Sequence, residues 1–294
     1  TFTRETAPRW GITGTVLVYG TTTITGGTFN EKSTSTNARV VVTGRVDGYD
    51  SITYVKGGTF NGNGNNVFHH LSPAQADDSF EVSGGTFNKS IPDYYCADGF
   101  IPTKNAGGTY GVKEGKFVAE VGSTGYETLD EAIAAANAST KSATIYLREN
   151  ITVDHQLVIE NAKGKAITLN LESFTLTSTY AINKAIKNGS YALVNNTPLT
   201  IENGTFAAGQ ARAIGALATL TLRDKATVTQ QLTGGHACVA FCADGKTYTI
   251  KDSTIEGAYA VCSFANNATI RITGSIAVRK LIPKPGISLS LNRR

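Results

Sequence analysis

The sequence predicts an all-β fold: a right-handed parallel β-helix, or β-solenoid, in two tandem units with one short capping α-helix. Two observations predict it. Gly-Gly-Thr-Phe-Asn occurs at Gly26–Asn30, Gly57–Asn61 and Gly84–Asn88, at intervals of 31 and 27 residues, and Asn-Gly-Thr-Phe follows at Asn203–Phe206. A turn-and-strand unit that returns every 20 to 30 residues or so is the mark of a stacked repeat. In the second half, Thr200-Ile201-Glu202-Asn203 aligns with Thr221-Leu222-Arg223-Asp224, Thr249-Ile250-Lys251-Asp252 and Arg271-Ile272-Thr273-Gly274, in steps of 21, 28 and 22 residues. Leu169-Asn170-Leu171 fits one coil earlier. Ala192-Leu193, Ala213-Ile214, Cys238-Val239 and Ala260-Val261 align as the upstream strand of each coil. Apolar residues alternate with polar ones, so one strand face lines a core and the other meets water.

One segment departs from this pattern. Thr128-Leu129-Asp130-Glu131 has capping-box spacing. Leu129, Ile133 and Ala136 then follow at helical spacing, which predicts a helix within Glu127–Asn137. Strands at Ala143–Leu147 and Ile151–Val153 come next, so the helix is placed to cover the first coil and its unpaired edge. The first unit is read over 1–113, closing through Ile91–Val112, which is rich in Pro, Tyr and Gly. The second is read over 114–278. Residues 279–294, with Pro283 and Pro285, are read as an extended tail that leaves the stack or packs along it.

Composition narrows the function classes. Among 294 residues there are 31 glycines and only 17% charged side chains, the balance of short strands and tight turns. A net charge of +4, with local basic runs only at Arg279–Lys280 and Arg293–Arg294, argues against a nucleic-acid partner. No apolar run reaches the ~18 residues of a membrane-spanning helix. The chain has no Met, even at position 1, which points to a processed segment or one cut from a longer protein. Sequons at Asn88, Asn137, Asn150, Asn188, Asn195, Asn203 and Asn267 fit a secretory protein, although so Asn- and Thr-rich a chain also generates them by chance.

The junction resembles one found in known proteins. Gly84-Gly85-Thr86-Phe87-Asn88, Ile91-Pro92-Asp93-Tyr94-Tyr95-Cys96-Ala97-Asp98-Gly99-Phe100 and Gly107-Gly108-Thr109-Tyr110 resemble a repeated junction of large surface proteins of gut Firmicutes. So does Val118-Ala119-Glu120-Val121 running into Tyr126-Glu127-Thr128-Leu129-Asp130-Glu131-Ala132-Ile133. Those proteins carry pectate-lyase-like β-helix domains in tandem. The resemblance covers about Gly84–Val153. It implies a secreted or cell-surface location and the β-helix fold. It transfers no catalytic residue, because the matching positions are turns and caps.

Candidate chemistry is sparse. β-Helix polysaccharide lyases and hydrolases need carboxylates that hold calcium beside a base, or paired acids. Asp77-Asp78 is the one adjacent Asp pair, and Gly234-Gly235-His236 and Arg271-Ile272-Thr273 are poor echoes of the hydrolase pattern. Asp224 and Asp252 share a turn position with Asn203, and with Lys225 nearby they could hold Ca²⁺ or form a lyase-like site. Turn chemistry explains them better, since Asn and Asp bond to nearby backbone. His69 and His70 point opposite ways on an extended chain and cannot readily chelate one ion. His155 is isolated. Tyr94, Tyr95, Phe100 and Tyr110 cluster in the junction, where they either stack on sugar rings or plug the first unit's open end, the latter being favoured. Trp10 stands alone in a polar stretch.

The four cysteines lack Cys-x-x-Cys spacing, which excludes an ordinary zinc site. Aligning Val239 with Val261 puts Ala240 beside Cys262, with Cys238 and Cys242 diagonal to it. Buried free thiols are expected, with Cys242–Cys262 the bridge if one forms, and Cys96 unpaired. The sequence therefore predicts a non-enzymatic structural or adhesive protein without a cofactor, presenting loops to glycans or surface proteins. The rival readings are a β-helix lyase or glycoside hydrolase, and a viral fibre or filament subunit that associates through coil ends or terminal arms.

Overall fold

The computed structural model describes residues 1–5, 13–44, 51–63, 66–71, 79–186, 188–231, 236–274, 277–278, 281–282 and 288–292. The chain is a β-solenoid of parallel stacked coils with a single α-helix among the described residues. It divides into two compact units, Thr1–Lys116 and Phe117–Arg294.

In the first unit each coil contributes one strand to each of three sheets. One sheet stacks Thr13–Val18, Ala38–Thr43 and Phe68–His70, and another Thr22–Ile24, Ile52–Val55 and Ser79–Val82. The third stacks Phe2–Arg4, Thr28–Glu31, Thr59–Asn61 and Thr86–Phe87, all parallel.

The Gly-Gly-Thr-Phe-Asn motif explains itself here. The second glycine adopts positive φ, 103° at Gly27, 116° at Gly58 and 113° at Gly85, where a side chain would be strained. The Thr amide then bonds to the previous coil, Thr59 N to Gly27 O and Thr86 N to Gly58 O, both at 2.8 Å. The motif's Phe rings stack up the core, Phe29 on Phe60 at 5.0 Å and Phe60 on Phe87 at 5.5 Å, and the exposed Phe2 lies on Phe29 at 5.3 Å. Asn61 Nδ2 donates to Asn30 Oδ1 at 2.9 Å, and Asn88 Oδ1 accepts from Gly62 N at 3.0 Å. Burying each such apolar side chain contributes about 1.5–3 kcal/mol.

The junction closes this unit. A 3₁₀ turn at Asp93–Tyr95 leads into a hairpin of Phe100–Lys104 and Tyr110–Glu114. That hairpin runs antiparallel to Thr86–Phe87, with Tyr110 opposite Phe87. Tyr95, Cys96, Tyr110 and Val112 pack on the Phe core.

In the second unit the register read from sequence is the observed one. Ile201, Leu222, Ile250 and Ile272 form one inward column, with Leu169 and Ile145 before them. Leu193, Ile214, Val239 and Val261 form another, on a sheet of six parallel strands that starts at Leu157–Ile159. We call this sheet the third face. The other two faces meet where Leu199–Ala208 and Leu220–Gln230 bend through a bulge after Glu202.

The helix spans Leu129–Ala138, and its capping box is formed by Thr128 and Glu131. Leu129, Ala132, Ile133 and Ala136 are buried in the second unit's core. A hairpin of Ala119–Val121 and Thr124–Tyr126 lies antiparallel to Ala143–Leu147 beside it.

Two points sharpen the sequence reading. The compact units divide between Lys116 and Phe117, close to the 113/114 boundary read from the sequence. The described residues of 279–294 pack with the stack, one of the two alternatives read from the sequence. Leu281–Ile282 pairs parallel with Val261–Cys262, and Ser288–Asn292 with Thr269–Thr273. The alternation Ser288-Leu289-Ser290-Leu291 supplies the strand period, which the two prolines had obscured. Pro283 and Pro285 themselves lie outside the described residues.

Candidate functional site

The four junction aromatics do not form one platform. Tyr95 is turned inward, with its ring edge-on to Phe80 at 4.9 Å and Phe68 at 6.3 Å, and burial pushes its phenol up to about 12. Tyr110 packs on the same core. Phe100 is half-buried on the hairpin, opposite Glu114. Tyr94 is 73% exposed and meets Tyr95 edge-on at 4.6 Å. Closure of the coil stack therefore occupies Tyr95 and Tyr110, and Tyr94 alone is offered widely to a ligand.

Asp224 and Asp252 sit in the turn column as aligned. Asn203, Asp224, Lys225 and Asp252 all adopt left-handed backbone, with φ of 58°, 51°, 65° and 46°. Asn and Asp tolerate this conformation because their short side chains bond locally. Lys225 N donates to Asp252 O at 2.9 Å, which ties adjacent coils together. Arg223 bridges Glu202 at 2.6 Å and Asp224 at 3.3 Å, so the Asp224 carboxylate already has a cationic partner. Among the described residues, no three His, Cys, Asp or Glu side chains gather as a metal-ligand set.

The histidines divide. His69 and His70 alternate across the strand Phe68–His70, His69 half-buried and His70 buried. Burial, then Arg39 and His70, lowers the pKa of His69. His155 Nε2 lies 2.8 Å from Asp130 Oδ1 and its Nδ1 3.2 Å from Asp154 Oδ1. Trp10, Asp77–Asp78, Gly234–Gly235, Arg279–Lys280 and Arg293–Arg294 lie outside the described residues.

All four cysteines are free, and Ala240 pairs with Cys262 as aligned, which leaves Cys242 diagonal to Cys262. Burial raises the pKa of every thiol, to about 12 at Cys96 and about 11 at Cys262. Cys242 and Cys262 belong to a small cluster with Tyr191, Val194, Ala240 and Leu217, separate from the main core.

That cluster lies on the outer side of the third face, and sequence reasoning missed what stands beside it. Arg212, opposite Tyr191 in register, has its guanidinium carbon 5.7 Å from the Tyr191 ring centre and 5.8 Å from that of Phe264. Its Nε and Nη2 donate to His236 Nδ1 at 3.4 and 3.1 Å, and its Nη1 to the Tyr191 hydroxyl at 3.4 Å. These residues come from four successive coils, His236 just before its strand and Phe264 just after its own, so no linear motif marks them. The usable signal was the column Val158, Val194, Ala240 and Cys262, which is apolar where water-facing positions are expected to be polar.

In comparisons with family models, curated proteins and solved structures, nothing matches this chain.

Proposed function

We propose that this chain is a non-enzymatic structural or adhesive segment of an extracellular or cell-surface protein, a stiff scaffold that presents surface to glycans or proteins. The observation that carries the reading is the repeated motif. Its glycines admit the next coil, its Phe rings stack and its Asn side chains link coils, so the element that recurs serves coil stacking. The acidic residues most open to a catalytic reading, Asp224 and Asp252, occupy left-handed turns. The junction resemblance supports the location.

Incubation with polygalacturonate and alginate tests this reading. The expected result is no unsaturated product by ultraviolet absorbance, with or without Ca²⁺. Chelator-sensitive product formation that disappears in Asp224→Asn or Asp252→Asn would overturn it in favour of a lyase.

A further inference from the structure

We propose that a notch on the outer surface of the second unit binds a neutral oligosaccharide of the extended, equatorially linked kind, with one sugar ring seated over Ala207. This rests on the adhesive reading and names the class of glycan for it.

The notch is a gap in a row of threonines. Thr152, Thr177, Ala207 and Thr229 follow one another in register on the outward side of successive coils. Thr152 is exposed and the other three are half-buried, so the row is open to solvent. Ala207 is the one short side chain in it. Two residues further along the same coil, Gly209 deepens the gap. A methyl group at Gly209 would meet only the Ser178 carbonyl, at an ordinary 3.5 Å, so coil packing does not demand glycine there. The result is an open cavity of about 240 Å³, lined among others by Thr177, Thr179, Ala207, Gly209, Gln210 and Gln231. That is smaller than the ~300 Å³ at which pockets for drug-sized ligands begin, and suits a single ring.

The lining is polar and uncharged. No ionisable side chain contributes to it. Among the described residues, the hydroxyls of Thr177 and Thr229 and the side-chain amides of Gln210 and Gln231 make no hydrogen bond within the chain. Each hydroxyl can donate once and accept twice, and each amide offers two donors and an acceptor oxygen. Thr175, Thr205, Thr227 and Thr254 form a second outward column in register beside the first, so the hydroxyl surface continues past the notch.

These features favour a neutral sugar over other ligands. A peptide hot spot calls for large aromatic or Arg anchors, and none lines the cavity. A uronate would find no cation there, and Glu256 stands next after Thr229 in the row and repels it. Sugar hydroxyls match free hydroxyls and amides, and the threonine methyl groups meet the C–H faces of the ring. Spacing adds a second match. Successive coils lie about 4.8 Å apart, and an extended, equatorially linked chain of pyranose rings advances by nearly that distance per ring. A ring over Ala207 therefore brings its neighbours over Thr177 and Thr229.

The test adds cellohexaose to the full chain, labelled with ¹⁵N, and follows the backbone amide shifts. Saturable shifts should centre on Ala207, Gly209 and Gln231. The dissociation constant should be on the order of 1 mM, as a shallow site without an aromatic platform would give. Ala207→Leu, whose side chain points outward and fills the notch, should weaken binding at least about tenfold. Thr229→Val and Gln231→Ala each remove hydrogen bonds and should weaken it about three- to tenfold. Thr221→Val, outward on the neighbouring face, should leave it unchanged. Hexagalacturonate should bind at least about tenfold more weakly than cellohexaose. No saturable shift, shifts centred elsewhere, or full binding by Ala207→Leu overturns the site. Equal or tighter binding of hexagalacturonate, or of the helically wound maltohexaose, overturns it as well. Each of those results leaves the adhesive reading standing, whereas conversion of cellohexaose to products would overturn the non-enzymatic reading.

Discussion

Gly57 lies directly against the carbonyl of Thr25 on the preceding coil: a methyl group at Gly57 would stand 2.6 Å from that oxygen. Gly84 meets the Lys56 carbonyl in the same way, whereas Gly26 has no atom within 4 Å of the equivalent point. Chemically equal substitutions should therefore have unequal effects. Gly57→Ala forces the coils apart and is expected to cost about 1–3 kcal/mol, the range for overpacking. Gly26→Ala is expected to stay within about 0.5 kcal/mol of the parent. Urea midpoints for the first unit's transition check this, and equal shifts in the two variants would refute it.

The capping box makes the second prediction. Thr128 Oγ1 accepts from Glu131 N at 3.2 Å, and Glu131 Oε2 accepts from Thr128 N at 3.1 Å. Thr128→Ala should destabilise the second unit by about 1 kcal/mol, and Thr128→Ser should restore most of it. The loss should appear as faster amide exchange at Ile133 and Ala136, which the helix buries against the end of the core.

His155 gives a pH dependence. The hydrogen bond that the His155 ring donates to Asp130 chiefly raises its pKa, Asp154 adds to the effect, and partial burial opposes it. A raised folded value means that this pair stabilises the fold fully below the ordinary imidazole value of about 6.5. The contribution is then lost as pH rises through the higher folded value. Both side chains are about half exposed, so the effect is small. An NMR titration of the His155 ring should show a midpoint above the ordinary value, and Asp130→Asn should return it toward that value. A midpoint unmoved by the substitution would show that Asp130 is not the cause.

The thiols should be sluggish in the folded chain. With the Cys262 pKa at about 11 in place of 9, its thiolate fraction at pH 8 falls about a hundredfold. Iodoacetamide should therefore label it far more slowly in buffer than in urea. All four cysteines should be labelled in urea without prior reduction. Fewer than four labels would reveal a bridge, and Cys242 with Cys262 is the pair to examine first.

The residues that carry the coil register were legible because a buried column forces apolar residues to recur. Ile201, Leu222, Ile250 and Ile272 aligned by eye and pair in register. Strand direction at the closing hairpins was not legible. The sequence offered a closing segment at Ile91–Val112 but not the hairpin of Phe100–Lys104 and Tyr110–Glu114, whose direction depends on what the preceding coil presents and not on local propensity. The Arg212 cluster was hidden for a related reason. Tyr191, Arg212, His236 and Phe264 become neighbours only after the coils are stacked, and coil lengths that differ by several residues erase any fixed spacing.

The hairpin at Tyr110–Glu114 runs against Thr86–Phe87, and the one at Ala119–Val121 runs against Ala143–Leu147. A parallel stack elongates by adding strands of the same polarity, with evenly spaced, slanted bonds, and a reversed strand presents a different bonding pattern. Each hairpin is thus a terminator of polymerisation written into the backbone. Growth by duplicating a coil inside a unit leaves that terminator in place. Removing residues 100–114 would lift that block and leave Phe87 at an open growth front.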